Sequence, residues 1–412
     1  MGWRRRDELL HHARARSQAR LGSERILRIL IDIACLGQGG QERQVVQLAA
    51  GLKARGHQVL LVVQKDIRAY RSDLLAGSID AIECWRLSPY DPLILLDLVA
   101  AIRAFRADVV LATAFSATLW GRLAAIVSCR PVITAEHSAS LRGPWKVLVA
   151  NRLLAPWTSA TVAVARGQIP HLVSSGSPRC HLRVVHNCVD ASHFSADASG
   201  ALEFRERHGI PRDASVLGLV AAHRPEKRHD RFIRLVEQMN RGGLDVWGCL
   251  IGGGPLLAAN SRLCAASSAR ERLVVTGAVD AMPAAYTALD VVCLVSDDVE
   301  SFGLCLVEAQ ACERPVVAMD CGGVSEAFVA GCTGFLIRQG DEDGLLKAAE
   351  RLILSEGLRR LMGKAGREWV RSEMTMDKMA EGYEHIFTEA ALAGPRRPLP
   401  CMQRVVRDMQ LM

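Results

Sequence analysis

The chain has 412 residues, half of them apolar in type and 23% charged, which excludes a disordered polymer. It is also too long for one ordinary core, since domains usually run to about 100–200 residues; two are expected. The net charge of +7 is unevenly divided: residues 1–190 hold 25 Lys and Arg against 14 Asp and Glu, and residues 191–412 hold 26 against 30. A basic half suggests an anionic partner, such as nucleic acid, a phosphorylated substrate or an acidic membrane face. A merely solvated basic surface is the plain alternative.

No uncharged run reaches the roughly 20 residues that span a bilayer. The longest, Val246 to Ser261, is broken by Gly252-Gly253-Gly254-Pro255. The basic start at Arg4-Arg5-Arg6 leads into polar residues, not the apolar core of a secretory signal. An integral membrane or exported protein is therefore not expected. Most of the thirteen cysteines sit singly inside apolar runs, with no C-x-x-C pair, as free thiols would in a cytoplasmic enzyme.

In chain order, residues 1–24 read as an arginine-rich leader. Ile26–Ile33 then reads as a buried strand, Gln41–Arg55 as a helix and Gln58–Val63 as a strand. Leu93–Phe105 continues as helix, with strands at Asp108–Thr113 and Pro131–Ala135. This alternation is the pattern of βαβ units on a parallel sheet. The rhythm restarts after residue 187. Strands are predicted at Val216–Val220, Val246–Ile251, Leu273–Thr276, Val291–Val295 and Pro315–Met319, and helices at Arg228–Asn240, Met282–Ala288 and Leu304–Ala311. The expected fold class is α/β, with two Rossmann-like doubly wound domains facing a central cleft. The boundaries are 25–186, 187–375, a terminal helix at 376–392 packing back on the first domain, and a tail at 393–412. Ligands of such sheets bind at the carboxyl ends of the strands.

The polar and glycine motifs fall at those ends. Gly37-Gln38-Gly39-Gly40 follows the first strand and opens a helix, where backbone N–H groups favour phosphate; a plain tight turn explains it equally well. His137 follows the run ending at Ala135 and would meet substrate, unless it is structural. Arg224 and Lys227 close the first strand of the second half and suit a diphosphate, Arg as a fork and Lys as a point charge. Gly253 lies in a glycine turn that a ligand or a neighbouring loop could approach.

Ser296–Glu308 is the richest segment. Glu300 precedes a helix expected to begin near Phe302, and Glu308 lies about two turns into it. Eight residues of helix would set the carboxylates about 12 Å apart along the axis. That is too far for the acid–nucleophile pair of a retaining glycosidase, which needs roughly 5–5.5 Å. It suits a grip on two parts of one extended ligand, such as sugar hydroxyls and a ribose. No Asp-x-Asp metal site is present; Asp297-Asp298 read as loop residues.

In this order the elements resemble the family-4 glycosyltransferases of the GT-B fold. The resemblance is carried by Gly39-Gly40-Gln41-Glu42, Arg55-Gly56-His57-Gln58-Val59, Asn187-Cys188-Val189-Asp190 with Phe194, Arg224-Pro225-Glu226-Lys227, the Gly252–Pro255 turn, Glu300-Ser301-Phe302-Gly303-Leu304 with Glu308, and Gly322-Gly323. It covers about residues 26–390. It implies retaining transfer of a sugar from a nucleotide-sugar donor to a glycan or lipid-linked acceptor. Glu308 would bind the donor ribose, Glu300 the sugar hydroxyls, and Arg224 and Lys227 the diphosphate. Gly39, Gly40, Gly253, Gly303 and Leu304 would line the donor site, with His137 near the reacting carbon.

The resemblance also implies no resident cofactor and no metal, the nucleotide-sugar being a co-substrate. No nucleic acid is expected as partner. A cytoplasmic enzyme, docked on the inner face of an anionic membrane, fits the basic first half. Three departures stand out: Ala222 where an arginine is usual, Cys188 where a glycine is usual, and Ala165 where many members carry serine. The competing readings are a non-catalytic binding protein on this fold and a GT-B epimerase; an epimerase would want its carboxylates closer together.

Overall fold

The computed structural model describes residues 25–396 except 38, 68–69, 71–73, 76, 85, 87, 89–90, 138–144 and 298–299. The leader, most of the tail, Gln38, Arg142 and Asp298 lie outside the described residues, as do the side chains of Trp145 and Lys146.

Two parallel sheets organise the chain. The first contains β1 (Arg28–Ile33), β2 (Gln58–Val63), β3 (Asp80–Glu83), β4 (Val109–Thr113), β5 (Val132–Glu136), β6 (Thr158–Ala163) and β7 (Leu182–Val184), in the order β3-β2-β1-β4-β5-β6-β7. The second contains β8 (Ser215–Val220), β9 (Val246–Ile251), β10 (Leu273–Gly277), β11 (Val291–Leu294), β12 (Val316–Met319) and β13 (Gly334–Ile337), in the order β10-β9-β8-β11-β12-β13. Both orders reverse beside the first strand, the doubly wound arrangement that opens a crevice at the carboxyl ends.

The central strands are buried on both faces, which is why Arg28–Ile33 and Val291–Leu294 read as near-continuous apolar runs. The strands not anticipated, β3, β6, β7 and β13, are short, rich in small or polar residues, or open with glycine. Helices cover both faces of each sheet. Phe232, Val236 and Met239, three and four residues apart on helix His229–Arg241, pack on one face of the second sheet.

The terminal helix Met376–Ala393 returns to the first domain and lies against helix Gly40–Ala54 and strands β4 to β6. Met379, Tyr383, Ile386 and Phe387 join the first core. This docking explains the run Arg55 to Val59: Arg55 bonds Asp377 at 2.7 Å and Glu384 at 2.6 Å. His57 Nδ1 accepts from the Leu27 amide at 3.2 Å, and the other side of its ring lies against Glu384. Those residues clamp the returning helix.

The linker is tied equally closely. The Gln44 amide group donates to the Cys188 carbonyl and accepts from the Cys188 N–H, each at 2.8 Å. Cys188 is outside the left-handed region, so the missing glycine costs no backbone strain there.

Candidate active site

The second domain builds its half of the cleft on ion pairs. After β8 the chain makes a short 3-10 turn at Pro225–Lys227, which delivers the Lys227 ammonium to Glu300 Oε2 at 2.5 Å. Ser296 Oγ donates to the same oxygen at 3.1 Å. Burial alone would lower the lysine pKa, but the Glu300 carboxylate outweighs it and holds Lys227 above the ordinary range. The loop carrying Glu300 is fixed from beneath: the Asp297 amide donates to the Glu226 carbonyl at 2.9 Å, and Arg228 grips the Asp297 carboxylate at 2.9 and 3.0 Å.

The helix expected from near Phe302 begins at Leu304, so Glu300 stands in the loop before it. The separation of the two carboxylates is therefore set by the loop as well as by helix rise, which corrects the axial estimate. Gly303 caps the helix in the left-handed region, at φ 88°, where residues with a Cβ are strained. Gly322, at φ 53°, allows another close approach: a Cβ there would stand 1.8 Å from the Glu300 carbonyl oxygen. The glycine pair after β12 thus supports the Glu300 loop.

Glu308 is on the first turns of helix Leu304–Ala311 and almost fully buried. Its Oε2 accepts from Tyr286 Oη at 2.7 Å and its Oε1 from Arg43 Nη1 at 2.6 Å. Burial raises the Glu308 pKa, while Arg43 and Tyr286 oppose the rise. Burial likewise pushes the Tyr286 phenol up, reinforced by the nearby carboxylate. Arg43 lies 5.3 Å above the centre of the Phe194 ring, and Phe194 packs edge-on against Tyr286. Arg43 belongs to the first domain and Glu308 to the second, so this pair bridges the cleft.

The first domain approaches from the glycine turn. A Cβ on Gly40 would sit 3.3 Å from Leu304 Cδ2, so the starts of helices Gly40–Ala54 and Leu304–Ala311 touch. The Glu42 carboxylate folds back over Gly39 at the helix start. Its pKa is raised by burial, against the pull of its own amide and of Arg224 across the cleft. The Gly253 carbonyl accepts from the His223 amide at 2.8 Å, joining that glycine turn to the Arg224 loop.

His137 follows β5 directly, yet its imidazole has no hydrogen bond to Glu300, Lys227 or Glu308 among the described residues. Its buried Nδ1 has no hydrogen-bond partner among the described residues, and the ring lines a cavity of about 10 Å³ with Gln44, Thr113 and Tyr383. Burial lowers its pKa to about 4, so the ring is neutral near pH 7. Close to the cleft, the two domains also meet where Gly167 N–H donates to Glu326 at 2.9 Å and His186 stacks on Phe302.

Thus the fold joins Lys227 to Glu300, sets Leu304 against Gly40, and brings Arg224 opposite Glu42; it leaves His137 in its own pocket. The sequence reading missed Arg43, Tyr286 and Ser296. Arg43 directly follows the Gly39–Glu42 run, a position that could have drawn notice. Tyr286 carried only the weak signal that a buried phenol needs a partner. Among the described residues no group of three or more His, Cys, Asp or Glu is placed to hold a metal ion, and no helix is long and apolar enough to cross a membrane.

This arrangement, two facing Rossmann-like domains with paired charges at one lip, defines the GT-B class. Two family descriptions match, Glycosyltransferase Family 4 over residues 38–193 and Glycosyl transferases group 1 over residues 201–369. The chain belongs to the family-4 GT-B glycosyltransferases.

It is 28% identical over 263 residues to a GDP-mannose-dependent alpha-(1-6)-phosphatidylinositol monomannoside mannosyltransferase of Mycolicibacterium smegmatis, covering 61% of this chain and 68% of the relative. It is 27% identical to an N-acetyl-alpha-D-glucosaminyl L-malate synthase of Bacillus anthracis, covering 56% of this chain and 59% of the relative. The chain thus spans little more than half the length of several curated relatives it matches. Among solved structures, Anabaena HepE in complex with UDP and glucose superposes with a TM-score of 0.77 at 20% identity, over 88% of this chain and all of that one.

Proposed function

We propose that the chain transfers a hexosyl unit, with retention of anomeric configuration and without a metal, from a nucleoside diphosphate sugar to a glycan or lipid-linked hydroxyl. The observation carrying this reading is the Lys227–Glu300 pair beside the buried Glu308, facing the start of helix Gly40–Ala54. In this reading Glu308 takes the ribose. Glu300 Oε1, which has no hydrogen-bond partner among the described residues, takes hydroxyls of the transferred sugar.

Chemistry then breaks the bond between the anomeric carbon and the β-phosphate oxygen. Negative charge grows on that oxygen, where Lys227 and Arg224 stabilise it. One well-placed donor of this kind contributes about 3–4 kcal/mol in the transition state. The acceptor hydroxyl attacks the face the diphosphate leaves, forming the new bond as its proton passes to the departing phosphate oxygen. In this reading His137, a weak base because burial lowers its pKa to about 4, shapes the first-domain wall and does not take that proton. Against a binding protein without turnover stands the presence of Lys227, Glu300 and Glu308 together, the set that both donor binding and stabilisation of the leaving group would use.

The test is a donor panel that includes GDP-mannose and UDP-glucose, named for the relative and for a HepE complex, scored by nucleoside diphosphate release. Product stereochemistry by NMR checks retention. Loss of turnover with EDTA, restored by Mg²⁺ or Mn²⁺, would remove the metal-independent part.

The reading extends to place. We assign the cytoplasmic face of an anionic membrane as the working site, on the strength of the basic first half and of helix Trp145–Leu154, which presents Arg152 beside exposed Val149 and Leu153.

A further inference from the structure

We propose that Arg43 competes with the donor ribose for Glu308, so that the interdomain pair is a latch which nucleotide must break in order to be seated. The inference rests on the ribose role given to Glu308 above.

Both oxygens of Glu308 are engaged, Oε2 by Tyr286 and Oε1 by Arg43. A ribose diol needs a carboxylate oxygen as acceptor for each hydroxyl. A second lone pair on each oxygen is available in principle, but access is the obstacle. The Glu308 side chain keeps 9% of its exposure and that of Arg43 keeps 33%, so the guanidinium is the more exposed of the two and sits on the Oε1 side of the buried carboxylate.

The two partners differ in how readily they can yield. Tyr286 comes from the same domain as Glu308, is fully buried, and is wedged against Phe194. Arg43 is a long side chain from the opposite domain, on a helix that opens with Gly39-Gly40. It also has a hydrogen-bond partner at home: the Tyr70 phenol, in the first domain, faces it. Arg43 can therefore leave Glu308 and keep a hydrogen-bond partner, and its partial exposure lets water solvate the charge, which lessens the cost that breaking a fully buried pair would carry.

The preceding residue repeats the logic with the sign reversed. The Glu42 carboxylate lies over Gly39 and faces Arg224, the cation assigned to the diphosphate. One helical turn thus presents a cation to the ribose carboxylate and an anion to the diphosphate cation.

The experiment is calorimetric titration of the full chain with UDP and GDP, and with their 2′,3′-dideoxy forms. The proteins are wild type, Arg43→Ala, Arg43→Gln, Glu308→Gln and the double variant Arg43→Ala/Glu308→Gln, with thermal melts to select those that fold. The expected result is tighter ribonucleotide binding by Arg43→Ala and Arg43→Gln, by about three- to tenfold, the scale of one partly buried ion pair. Dideoxy binding should not change, and the gain should vanish in the Glu308→Gln background. Unchanged or weaker binding by the Arg43 variants, or equal tightening of ribo and dideoxy forms, overturns the latch while leaving the ribose site standing, provided Glu308→Gln weakens ribonucleotide binding. If Glu308→Gln binds both forms as wild type does, the ribose assignment is wrong and the latch falls with it.

Discussion

The two domains share a sheet architecture but treat their polar groups differently at the cleft. In the second domain the charges are paired into a scaffold: Lys227 with Glu300, and Asp297 with Arg228 and Arg231. In the first, the carboxyl ends carry a glycine turn whose Glu42 and Arg43 reach across to the second domain, and otherwise a neutral His137 and glutamine amides spent on backbone, as Gln168 is on the Glu136 carbonyl and the Val164 amide. A diphosphate and a ribose are common to many donors, and fixed charge at fixed spacing recognises them. Acceptors differ in shape, and small and neutral groups away from the Glu42–Arg43 turn can vary to fit them.

The sharpest way to break this comparison is to remove charge from the second domain. Lys227→Ala should lower turnover by about 100- to 1,000-fold, the scale of one lost transition-state donor, and Glu308→Ala should abolish most transfer by removing the acceptor of the donor ribose, each with the fold retained. Either variant turning over donor near the wild-type rate would mean that the paired charges are only structural. His137→Gln should cost less than either, because its ring is neutral and bonds none of the site carboxylates.

Backbone support gives the next largest effect. Gly322→Ala places a Cβ 1.8 Å from the Glu300 carbonyl at φ 53°, so it should cost about 2–3 kcal/mol in urea unfolding and displace Glu300 enough to slow turnover. Gly37→Ala, in the first domain's glycine turn, has open space and no left-handed backbone, and should stay within about 0.5 kcal/mol. Equal losses from the two would erase the distinction between a scaffolded lip and a permissive one.

Acid stability compares the domains through one buried histidine in each. His137 and His229 both have pKa values lowered from 6.5 to about 4, chiefly by burial. Below pH 6.5 the unfolded chain takes up protons that the folded chain refuses until near pH 4. Stability therefore falls as pH drops through that window, by at most about 1.4 kcal/mol per unit for each histidine. His137→Asn and His229→Phe should each flatten the slope in denaturation curves taken between pH 7 and 5. An unaltered slope in His137→Asn would show that its ring protonates freely in the fold.

How far the sequence disclosed all this follows the same division. Strands with two buried faces, such as Val246–Ile251 and Gln58–Val63, were legible to the residue because their apolar runs end at turns. Lys227, Glu300 and Glu308 were singled out by their place after strand ends and in the helix that follows, and their roles by the resemblance; the structure pairs Lys227 with Glu300 and buries Glu308. Thr158–Ala163 was not legible, since small residues carry little periodic signal, and Gly334–Ile337 was not because it is a short run that opens with glycine. Tyr286, and Arg43 beyond its place after the Gly39–Glu42 run, were hard to read as site residues for another reason. Their importance lies in contacts made across 265 and 22 residues of chain, which no local spacing encodes.

The smallest expected effect tests whether the first domain's charge has a use. Helix Trp145–Leu154 carries Arg152 next to exposed Val149 and Leu153, with half-buried Trp157 just beyond it. A basic residue near an anionic leaflet contributes about 1 kcal/mol, and the effect fades within a Debye length, about 8–10 Å at ordinary salt. Arg152→Gln should then weaken co-sedimentation with anionic vesicles by about fivefold at low salt and leave turnover of a water-soluble acceptor unchanged, since Arg152 lies outside the donor machinery. Binding of the wild type should fall steeply with added salt and be weak on neutral vesicles. Equal, negligible binding to both vesicle types at low salt would remove the membrane from the account. The excess charge of residues 1–190 would then be a solvated surface, and the acceptor would be sought among soluble glycans.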